Sequence, residues 1–415
     1  MMWAAPTAST PLAAVVGVPG SKSATARALV LSATATGPGT IRGGLVARDT
    51  DLMIAGLTAL GARIDTTDAH CWRVTPLAGR PRSTAIDCGL AGTVMRFLPP
   101  LAATYPTTTA FTGDRAATAR PMRPLLIALE QLGVRVDGTA LPLVVTGPVT
   151  GAAVTFDSSS SSQFVSGLLL AAPGFPAGLT LTHVGPPVPS LPHIAMTVAA
   201  LAARGVAVTG DVPAWHVEPG PVAPRDETIE PDLTTAAVFL AAALVAGGTV
   251  TVPGWPAATT QPGVGFPDIV VQMGAAVSLD AAGLTVRGTG ALRGIDLDLH
   301  HASELTPVVA ALAALADGPT TIRGVAHIQG HETNRLAALS AQITALGGDC
   351  RATDDGLVIH PRPLHGGMFA TYGDHRMAHA AALLGLRVPG IRLDDVDCTT
   401  KTMPGFPARW EQLTR

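Results

Sequence analysis

The chain has 415 residues, of which 47% are hydrophobic and 14% are charged, so it can bury large cores, and its length predicts two or three domains. A net charge of -3 gives no overall basic field, which argues against non-specific binding to nucleic acid or a membrane surface. The apolar runs are shorter than the roughly 18 residues that a membrane helix needs. We therefore expect a soluble globular protein.

The cysteines and the N-terminus predict a cellular compartment. The first residues carry no basic segment ahead of an apolar one, so we expect no secretory signal. The cysteines are scattered without CxxC spacing, a pattern typical of reduced thiols rather than of disulfides or a zinc site; they are Cys71, Cys88, Cys350 and Cys398. The sequence thus predicts a cytoplasmic protein without a bound metal.

One pattern recurs through the chain: an apolar helical stretch, a glycine, and a short strand. The glycines lie 69 to 73 residues apart, and each is placed to end a helix in the left-handed conformation; they are Gly61, Gly133, Gly205, Gly274 and Gly347. A turn followed by a strand recurs with the same period and indicates a sixth unit.

Six units predict an α/β fold with two domains of three units each. The sixth unit reaches the C-terminus before its last strand, whereas the strand-like run LAAVVGV, residues 12–18, precedes the first unit. We expect this N-terminal strand to complete the sixth unit. The chain would then form one domain from residues 20–229 and another from 1–19 plus 230–415, joined by a double hinge. PGSKS and EPDLTTAA would face the cleft between them, a preferred place for a ligand.

The segment PGSKSATAR places Lys22 and Arg27 at a predicted helix start, with Ser21 as a candidate N-cap. The first acidic residue is Asp49, so we expect no local carboxylate to neutralise these cations. A helix N-terminus already carries positive partial charge, and an anionic ligand is the simplest resolution. The segment does not fit a nucleotide-binding Walker A loop, because Ser21 separates Gly20 from Lys22.

Lysine usage supports Lys22 and adds Lys401 as a candidate. Lys22 and Lys401 are the two lysines among 27 lysine and arginine residues. The planar fork of arginine cannot replace a compact ammonium in proton transfer or in point contact with a phosphate. We therefore expect both lysines to be functional.

Three other motifs in the first half suit anion binding. LAGTVMRF is a turn that enters a helix at Gly92 and carries Arg96; a tight turn into a buried helix is an equal alternative. ATARP holds Arg120 extended before a proline, which suits bidentate capture of a phosphate or carboxylate. The serine run at residues 158–162 leads directly into an apolar helix, which favours capping and ligand contacts over a flexible linker.

Two motifs in the second half gather charged residues. GHETNRL has Arg335 where the metalloprotease HExxH motif has its second histidine, so it predicts no zinc site. Its Glu332 and Arg335 could form a helix salt bridge. YGDHRMAH brings together Asp374, His375 and Arg376, which could equally be a surface cluster.

Taken in order, PGSKSATAR, LAGTVMRF, ARP, SSQF, HETNRL, GDHRMAH and TKTMPGF resemble the motifs of the 5-enolpyruvylshikimate-3-phosphate synthase family, and the match extends over nearly the whole chain. The resemblance implies two domains of three βαβαββ units each, in an inverse α/β barrel-like arrangement. It implies transfer of the enolpyruvyl group of phosphoenolpyruvate to the 5-hydroxyl of shikimate 3-phosphate, a step toward chorismate and the aromatic amino acids. No cofactor, metal, nucleic acid or membrane is implied, and we expect a monomer.

The resemblance also assigns site residues. It implies that shikimate 3-phosphate is held by Lys22, Ser23, Arg27, Ser161, Ser162, Gln163, Ser190, Glu304 and His331. It implies that phosphoenolpyruvate is held by Lys22, Gly92, Arg120, Gln163, Arg335, Arg376 and Lys401. The reaction needs a base for the hydroxyl and an acid for the alkene methylene. Our hypothesis assigns Glu304 as the base, Lys22 and Glu332 to proton transfer around phosphoenolpyruvate, and His331 as a titratable donor.

The sequence departs from the commonest family pattern at five positions. Leu90 and His327 replace asparagines, His193 replaces a tyrosine, His331 a lysine, and Glu304 an aspartate. The longer Glu304 can still reach a hydroxyl. Gly92 in AGT resembles the glyphosate-sensitive form, which predicts inhibition competitive with phosphoenolpyruvate.

Two alternatives stay open at this point. The related UDP-N-acetylglucosamine enolpyruvyl transferases share the fold, but they carry Lys-Asn where this chain has Lys22-Ser23 and a catalytic cysteine where it has Arg115. A non-catalytic anion-binding homologue would require the loss of an acid-base group, whereas Lys22, Glu304 and Glu332 are all present.

Overall fold

The computed structural model describes residues 1–79 and 83–414. The chain divides into two compact units. We call Gly20–Ile229 the continuous unit, and Met1–Pro19 with Glu230–Arg415 the split unit. Each unit has its own hydrophobic core.

The helices of the described residues alternate with strands. They are α1 Lys22–Thr34, α2 Arg48–Leu60, α3 Gly92–Ala102, α4 Arg123–Gln131, α5 Ser162–Ala171, α6 Leu191–Ala202, α7 Leu233–Ala246, α8 Phe266–Gln272, α9 Thr306–Ala314, α10 Arg335–Ala345, α11 His375–Gly385 and α12 Phe406–Leu413.

The strands are short, as expected for repeated βα units. They are β1 Trp3–Ala4, β2 Leu12–Val15, β3 Gly39–Arg42, β4 Arg63–Asp65, β5 Cys71–Thr75, β6 Thr84–Asp87, β7 Thr108–Thr112, β8 Arg135–Asp137, β9 Leu143–Thr146, β10 Ala153–Phe156, β11 Leu179–His183, β12 Val208–Asp211, β13 Ala214–Val217, β14 Glu227–Thr228, β15 Gly248–Val252, β16 Ala276–Asp280, β17 Gly283–Gly288, β18 Asp296–Asp298, β19 Thr320–Arg323, β20 Asp349–Ala352, β21 Leu357–His360, β22 Gly367–Phe369 and β23 Ile391–Leu393.

These strands form small mixed sheets that repeat one design. The continuous unit contains β14-β3-β5-β4, β6-β7-β9-β8 and β10-β11-β13-β12, and the split unit contains β16-β17-β15-β2, β18-β19-β21-β20 and β1-β23-β22. We number the sheets one to six in the order just given. In the second sheet, β6 is parallel to β7, β7 is antiparallel to β9, and β9 is antiparallel to β8. The third sheet (β10-β11-β13-β12) and the fifth sheet (β18-β19-β21-β20) have the same order and directions. The predicted α/β fold class and its repetition are therefore confirmed.

The prediction for the N-terminal strand is wrong. β2 pairs in parallel with β15, with Leu12 opposite Gly248, and so joins the fourth sheet. The sixth sheet receives β1 instead, which runs antiparallel to β23. The reason is strand direction. A strand directly before a buried helix lies at the edge of its sheet and runs parallel to its neighbour, as β6 does beside β7. The equivalent strand before α7 is β14, which pairs in parallel with β3 in the first sheet. Thus β2 pairs in the split unit although it precedes α1 of the continuous unit, and β14 pairs in the continuous unit although it precedes α7 of the split unit.

Each unit is built around three buried helices, which are α1, α3 and α5 in the continuous unit and α7, α9 and α11 in the split unit. α7 is typical: it contains no charged residue, and all of it from Leu233 to Val245 is buried. The glycines predicted to end helices all have positive φ. Within the described residues, no helix is long and apolar enough to cross a membrane.

We predict that Gly248→Ala destabilises the split unit. Gly248 has φ +92°, and an added Cβ would lie 2.1 Å from the carbonyl oxygen of Leu12. Backbone strain and the clash with β2 should lower the free energy of unfolding by about 2 kcal/mol or more, measured from the midpoint of urea unfolding.

Gly17→Ala is the matched control, because an added Cβ there meets no atom within 4 Å. Equal midpoints for the two variants would contradict the pairing of β2 with β15.

Candidate active site

In the continuous unit several candidate residues lie at helix N-termini. Ser21 caps α1 and accepts a hydrogen bond from the Ala24 amide, as predicted. Ser161 caps α5, where its Oγ accepts from the amide of Gln163 at 3.2 Å. Ser190 precedes α6 in the left-handed conformation, with φ 52°. Such a backbone is uncommon for a residue with a side chain and is concentrated at functional sites. Because Ser161 caps α5, the serine run at residues 158–162 leads directly into a helix and is not a flexible linker.

The expectation that no local carboxylate neutralises Lys22 is wrong. Lys22 Nζ lies 3.3 Å from Oδ2 of Asp49, which is 4% exposed. Asp49 belongs to the first turn of α2, which packs on α1. The ion pair holds the ammonium at the start of α1 while its side chain stays 22% exposed.

Arg27 is a buried cation bonded to neutral groups. It is 3% exposed. Its guanidinium donates to Thr197 Oγ1 at 2.8 Å, to the carbonyls of Ser23 and His193 at 2.8 and 2.7 Å, and to Ser166 Oγ at 3.3 Å. Burial lowers the pKa of Arg27 to about 9. No carboxylate is among these partners in the described part of the chain, so the positive charge favours an approaching anion.

Two arginines, Arg96 and Arg120, lie beside the first residue of α3, which is Gly92. Arg96 donates to Gln163 Oε1 at 3.2 Å, and Arg120 donates to the carbonyl of Leu90 at 3.0 Å. A Cβ added to Gly92 would lie 2.9 Å from Nη2 of Arg120 and from Nη1 of Arg96. Arg120 has the extended backbone predicted from the following proline. We call Gly92, Arg96, Arg120 and Gln163 the Gly92 corner.

Two departures from the family pattern involve main-chain contacts here. The carbonyl of Leu90 accepts from Arg120, and the carbonyl of His193 accepts from Arg27. Any residue supplies a carbonyl, so both substitutions preserve these arginine contacts.

In the split unit Arg335 is the centre of an ionic network. It is the first residue of α10 and is 1% exposed. Nε and Nη2 donate to Asp374 at 2.8 and 3.2 Å, and Nη2 also donates to Glu332 at 2.8 Å. Nη1 donates to Glu304 at 3.0 Å and to His331 Nδ1 at 2.9 Å. These bonds match the five N–H groups of a guanidinium.

Two further cations complete this network. Lys401 Nζ lies 2.5 Å from Oε1 of Glu332. Arg376 pairs with Glu304 through Nε and donates to Thr234 Oγ1 at 3.0 Å. The network therefore contains three carboxylates and three cations, which are Glu304, Glu332, Asp374, Arg335, Arg376 and Lys401.

The network decides two alternatives left open by the sequence. The salt bridge between Glu332 and Arg335 forms as suggested, but it is buried, and Glu332 lies ahead of the first residue of α10. Asp374 and His375 are 0% and 1% exposed, so GDHRMAH is not a surface cluster. Asp374 instead caps α11, where its side chain accepts from the Arg376 amide.

Glu304 is held ionised although its side chain is half-buried. Burial alone would raise the pKa of Glu304, but the positive charges of Arg376 and Arg335 outweigh it and hold the pKa well below its usual range. The carboxylates of Asp374, Glu304 and Glu332 in turn raise the pKa of Arg335 above its usual value, against the effect of burial. The groups thus stabilise one another in their charged forms.

Sequence reasoning missed three partners. Asp49 pairs with Lys22, Thr234 accepts from Arg376, and Asp374 binds Arg335. The capping role of Asp374 had a local signal, because aspartate directly before a helix is a favoured N-cap. Its contact with Arg335 spans 39 residues of sequence and had none.

The fold is that of known enolpyruvyl transferases. An EPSP synthase from Acinetobacter baumannii superimposes with a TM-score of 0.81 and 23% identity, covering 99% of this chain and 98% of that one. A second structure of the Acinetobacter baumannii EPSP synthase gives the same score at 22% identity, covering 100% and 98%. The enolpyruvyl transferase NikO from Streptomyces tendae superimposes with a TM-score of 0.74 and 20% identity, covering 98% and 96%.

The family follows from the sequence itself. The sequence model of EPSP synthase (3-phosphoshikimate 1-carboxyvinyltransferase) matches residues 6–410, so the chain belongs to the EPSP synthase family. Its activity is transfer of the enolpyruvyl group of phosphoenolpyruvate to shikimate 3-phosphate, a step of aromatic amino acid biosynthesis. The family match favours this acceptor over the UDP-N-acetylglucosamine alternative.

We predict that His379 makes the protein sensitive to acid. His379 is 1% exposed in α11, and neither ring nitrogen has a hydrogen-bond partner among the described residues. Burial, with the charges of Arg376 and Arg335, lowers the pKa of His379 to about 3. Below pH ~6.5 this histidine is protonated in the unfolded chain but stays neutral in the folded protein. The free energy of unfolding therefore decreases by about 3 kcal/mol as the pH is lowered from ~6.5 to ~4.5.

His379→Leu should remove this part of the pH dependence in urea unfolding. His365→Leu, at an exposed histidine of the same unit, should retain it. The same slope of stability against pH in wild type and His379→Leu would refute the prediction.

Proposed function

We propose that shikimate 3-phosphate is bound by Lys22, Ser23, Arg27, Ser161, Ser162, Gln163, Ser190, Glu304 and His331. The observation that carries this proposal is Arg27, a buried cation whose hydrogen bonds go to neutral groups. The N-termini of α1, α5 and α6 add the positive ends of their helix dipoles, which favour a bound phosphate. The hydroxyls of Ser161 and Ser162 supply neutral contacts at the same helix start.

We propose that phosphoenolpyruvate is bound by Lys22, Gly92, Arg120, Gln163, Arg335, Arg376 and Lys401. The Gly92 corner supports this assignment, since Arg96 and Arg120 converge on a position without a side chain. Such an opening lets an anion approach the start of α3 closely. A phosphate and a carboxylate on one small molecule require this density of cations.

The proposed mechanism uses Glu304 as the base. Its carboxylate is ionised at neutral pH, so it can accept the proton of the 5-hydroxyl. Protonation of the alkene methylene makes the adjacent carbon electrophilic, and attack by the hydroxyl gives a tetrahedral ketal phosphate. Lys22 and Glu332 take part in the proton transfers at phosphoenolpyruvate, and phosphate leaves as the methyl group loses a proton.

The proposed ligands in the split unit must change partners when substrate binds. All five N–H groups of Arg335 are engaged by protein acceptors, and Lys401 is paired with Glu332. A substrate carboxylate at Arg335 therefore replaces one of these acceptors rather than filling an unused donor. Protonation of Glu332 during the reaction would weaken its hold on both cations.

We further propose that the enzyme works in the cytoplasm as a monomer. The four cysteines, all of which are described, are free thiols, as suits a reducing compartment.

Glu304→Gln should lower kcat by roughly 10²- to 10⁴-fold, because glutamine cannot take the hydroxyl proton. The measurement is release of inorganic phosphate that depends on both substrates. Glu304→Asp, which keeps the carboxylate and matches the commonest family residue, is the control and should retain most of the activity.

Near-normal turnover by a correctly folded Glu304→Gln would remove Glu304 from the role of base. Calorimetric binding of shikimate 3-phosphate by the wild type without any phosphate release would instead indicate a non-catalytic homologue.

Gly92→Ala should raise KM for phosphoenolpyruvate by about tenfold, or 1.4 kcal/mol, and weaken inhibition by glyphosate. The added methyl would crowd Arg120, Arg96 and Gln163 at 2.9 to 3.0 Å. KM for shikimate 3-phosphate should change less. Gly220→Ala in the same unit is the control, since its Cβ meets nothing within 4 Å.

Glyphosate inhibition that is not competitive with phosphoenolpyruvate would contradict this assignment of the Gly92 corner. So would an unchanged KM in Gly92→Ala.

A further inference from the structure

One histidine ring joins two segments of the continuous unit that carry proposed ligands of shikimate 3-phosphate. Ser158 Oγ lies 2.9 Å from Nδ1 of His183, and the Ser158 amide donates to the same nitrogen at 3.3 Å. On the other side of the ring, Nε2 lies 2.8 Å from the carbonyl oxygen of Pro186. We call His183, Ser158 and Pro186 the His183 bridge.

The partners of the ring determine where its proton lies. The carbonyl of Pro186 can only accept, so Nε2 of His183 carries the proton. The Ser158 amide can only donate, so Nδ1 offers its lone pair, and the Ser158 hydroxyl that faces this lone pair also donates to it. The ring is therefore neutral in this arrangement, and both of its nitrogens are hydrogen-bonded.

His183 occupies a position at which the strand pattern predicts an apolar residue. In β11, Leu179 and Leu181 are buried and alternate with more exposed residues, and His183 continues the buried series at the end of the strand. Burial of an imidazole is costly unless its polar atoms are hydrogen-bonded. An apolar side chain could fill this position, but it could not supply the bonds to Ser158 and Pro186.

Ser158 anchors the serine run that enters α5. It is fully buried, and its carbonyl accepts from the Ser161 amide at 3.1 Å, which closes a turn over residues 158–161. Ser161 then caps α5 by accepting from the amide of Gln163. The positions of the hydroxyls of Ser161 and Ser162 therefore depend on where Ser158 is held.

The second segment, residues 184–190, has few backbone donors of its own. Three of its seven residues are prolines, which have no amide N–H. The segment ends at Ser190, whose left-handed backbone, with φ 52°, has to be held by its surroundings. The hydrogen bond from His183 to the Pro186 carbonyl is one such restraint.

The two segments also contact each other directly. The Val184 amide donates to the carbonyl of Phe156 at 3.1 Å. A Cβ added to Gly185 would lie 3.0 to 3.2 Å from the carboxylate atoms of Asp157, which in turn accepts from the Ser159 amide at 2.8 Å. The two segments therefore form one packed surface, and the ring of His183 is bonded to both.

We propose that His183 is a positioning residue that holds Ser161, Ser162 and Ser190 in the geometry that binds shikimate 3-phosphate, an inference that rests on the proposed binding assignment. Segments that are ordered before the ligand arrives lose less conformational entropy on binding, so the His183 bridge raises affinity without touching the ligand. The proposed acid-base groups belong to other segments. Loss of the bridge should therefore weaken binding rather than slow the chemical step.

The test removes both bonds of the ring. His183→Phe keeps a buried flat ring without nitrogens. We expect KM and the calorimetric Kd for shikimate 3-phosphate to rise by about tenfold, while kcat for phosphate release stays within about twofold and KM for phosphoenolpyruvate within about threefold. His70→Phe, at an exposed histidine of the same unit, should match the wild type in all of these quantities.

Three smaller changes separate the two bonds. His183→Asn places a carbonyl oxygen at the position of Nδ1 and can still accept from Ser158, whereas His183→Gln extends an amide nitrogen toward Pro186. Each should recover part of the affinity lost in His183→Phe. Ser158→Ala removes only the hydroxyl donor and should raise the Kd by less than His183→Phe does.

An unchanged Kd for shikimate 3-phosphate in His183→Phe would overturn the proposal. So would a rise in both KM values together with a fall in kcat, because a general loss of packing has that signature. If His183→Phe does not fold, the smaller changes decide: a wild-type Kd in Ser158→Ala, His183→Asn and His183→Gln alike would show that the bridge does not set affinity.

Ser161→Ala separates this proposal from the binding assignment itself. If Ser161→Ala weakens binding of shikimate 3-phosphate while His183→Phe binds it as the wild type does, the bridge alone is refuted. If neither Ser161→Ala nor Ser162→Ala changes the Kd, the binding assignment fails first. In the Ser161→Ala background, His183→Phe should raise the Kd by a smaller factor than in the wild type.

Discussion

The burial of helix N-termini is the constraint on which this structure depends. A helix that lies wholly inside a unit brings its first amides, and the positive end of its dipole, into a place with little water. In the described residues this applies to three helices of each unit, and the cap is Ser21 for α1, Ser161 for α5, Asp232 for α7 and Asp374 for α11. Several candidate substrate ligands, among them Lys22, Ser162 and Arg376, lie within two residues of these caps. The architecture that fills the core therefore also creates the anion sites.

The two units balance charge differently at these helix starts. In the continuous unit Arg27, Arg96 and Arg120 donate to carbonyls, hydroxyls and an amide. In the split unit Arg335 and Lys401 donate to carboxylates. The first arrangement presents net positive charge, and the second is neutralised internally. In the continuous unit an anion is attracted directly by the arginines. In the split unit it has to replace a carboxylate of the protein at Arg335 or Lys401.

Local chemistry decided what could be predicted. The glycines that end helices, the caps at Ser21 and Ser161, and the extended Arg120 depend on neighbouring residues and were recognisable in the sequence. The pairing of Lys22 with Asp49 and of Arg335 with Asp374 depends on how helices pack, and no local pattern encodes it. The N-terminal strand shows the same limit: its apolar sequence identified it as a strand, but not which sheet it would join.

The pairing of β2 and β1 with distant strands has a consequence for how the protein is made. Leu12–Val15 is synthesised more than two hundred residues before its partner, Gly248–Val252. The separation along the chain is larger for Trp3–Ala4, whose partner is Ile391–Leu393. All strands of the continuous unit, by contrast, are available once Thr228 has emerged. During translation the continuous unit can therefore complete its sheets while Leu12–Val15 and Trp3–Ala4 are still unpaired.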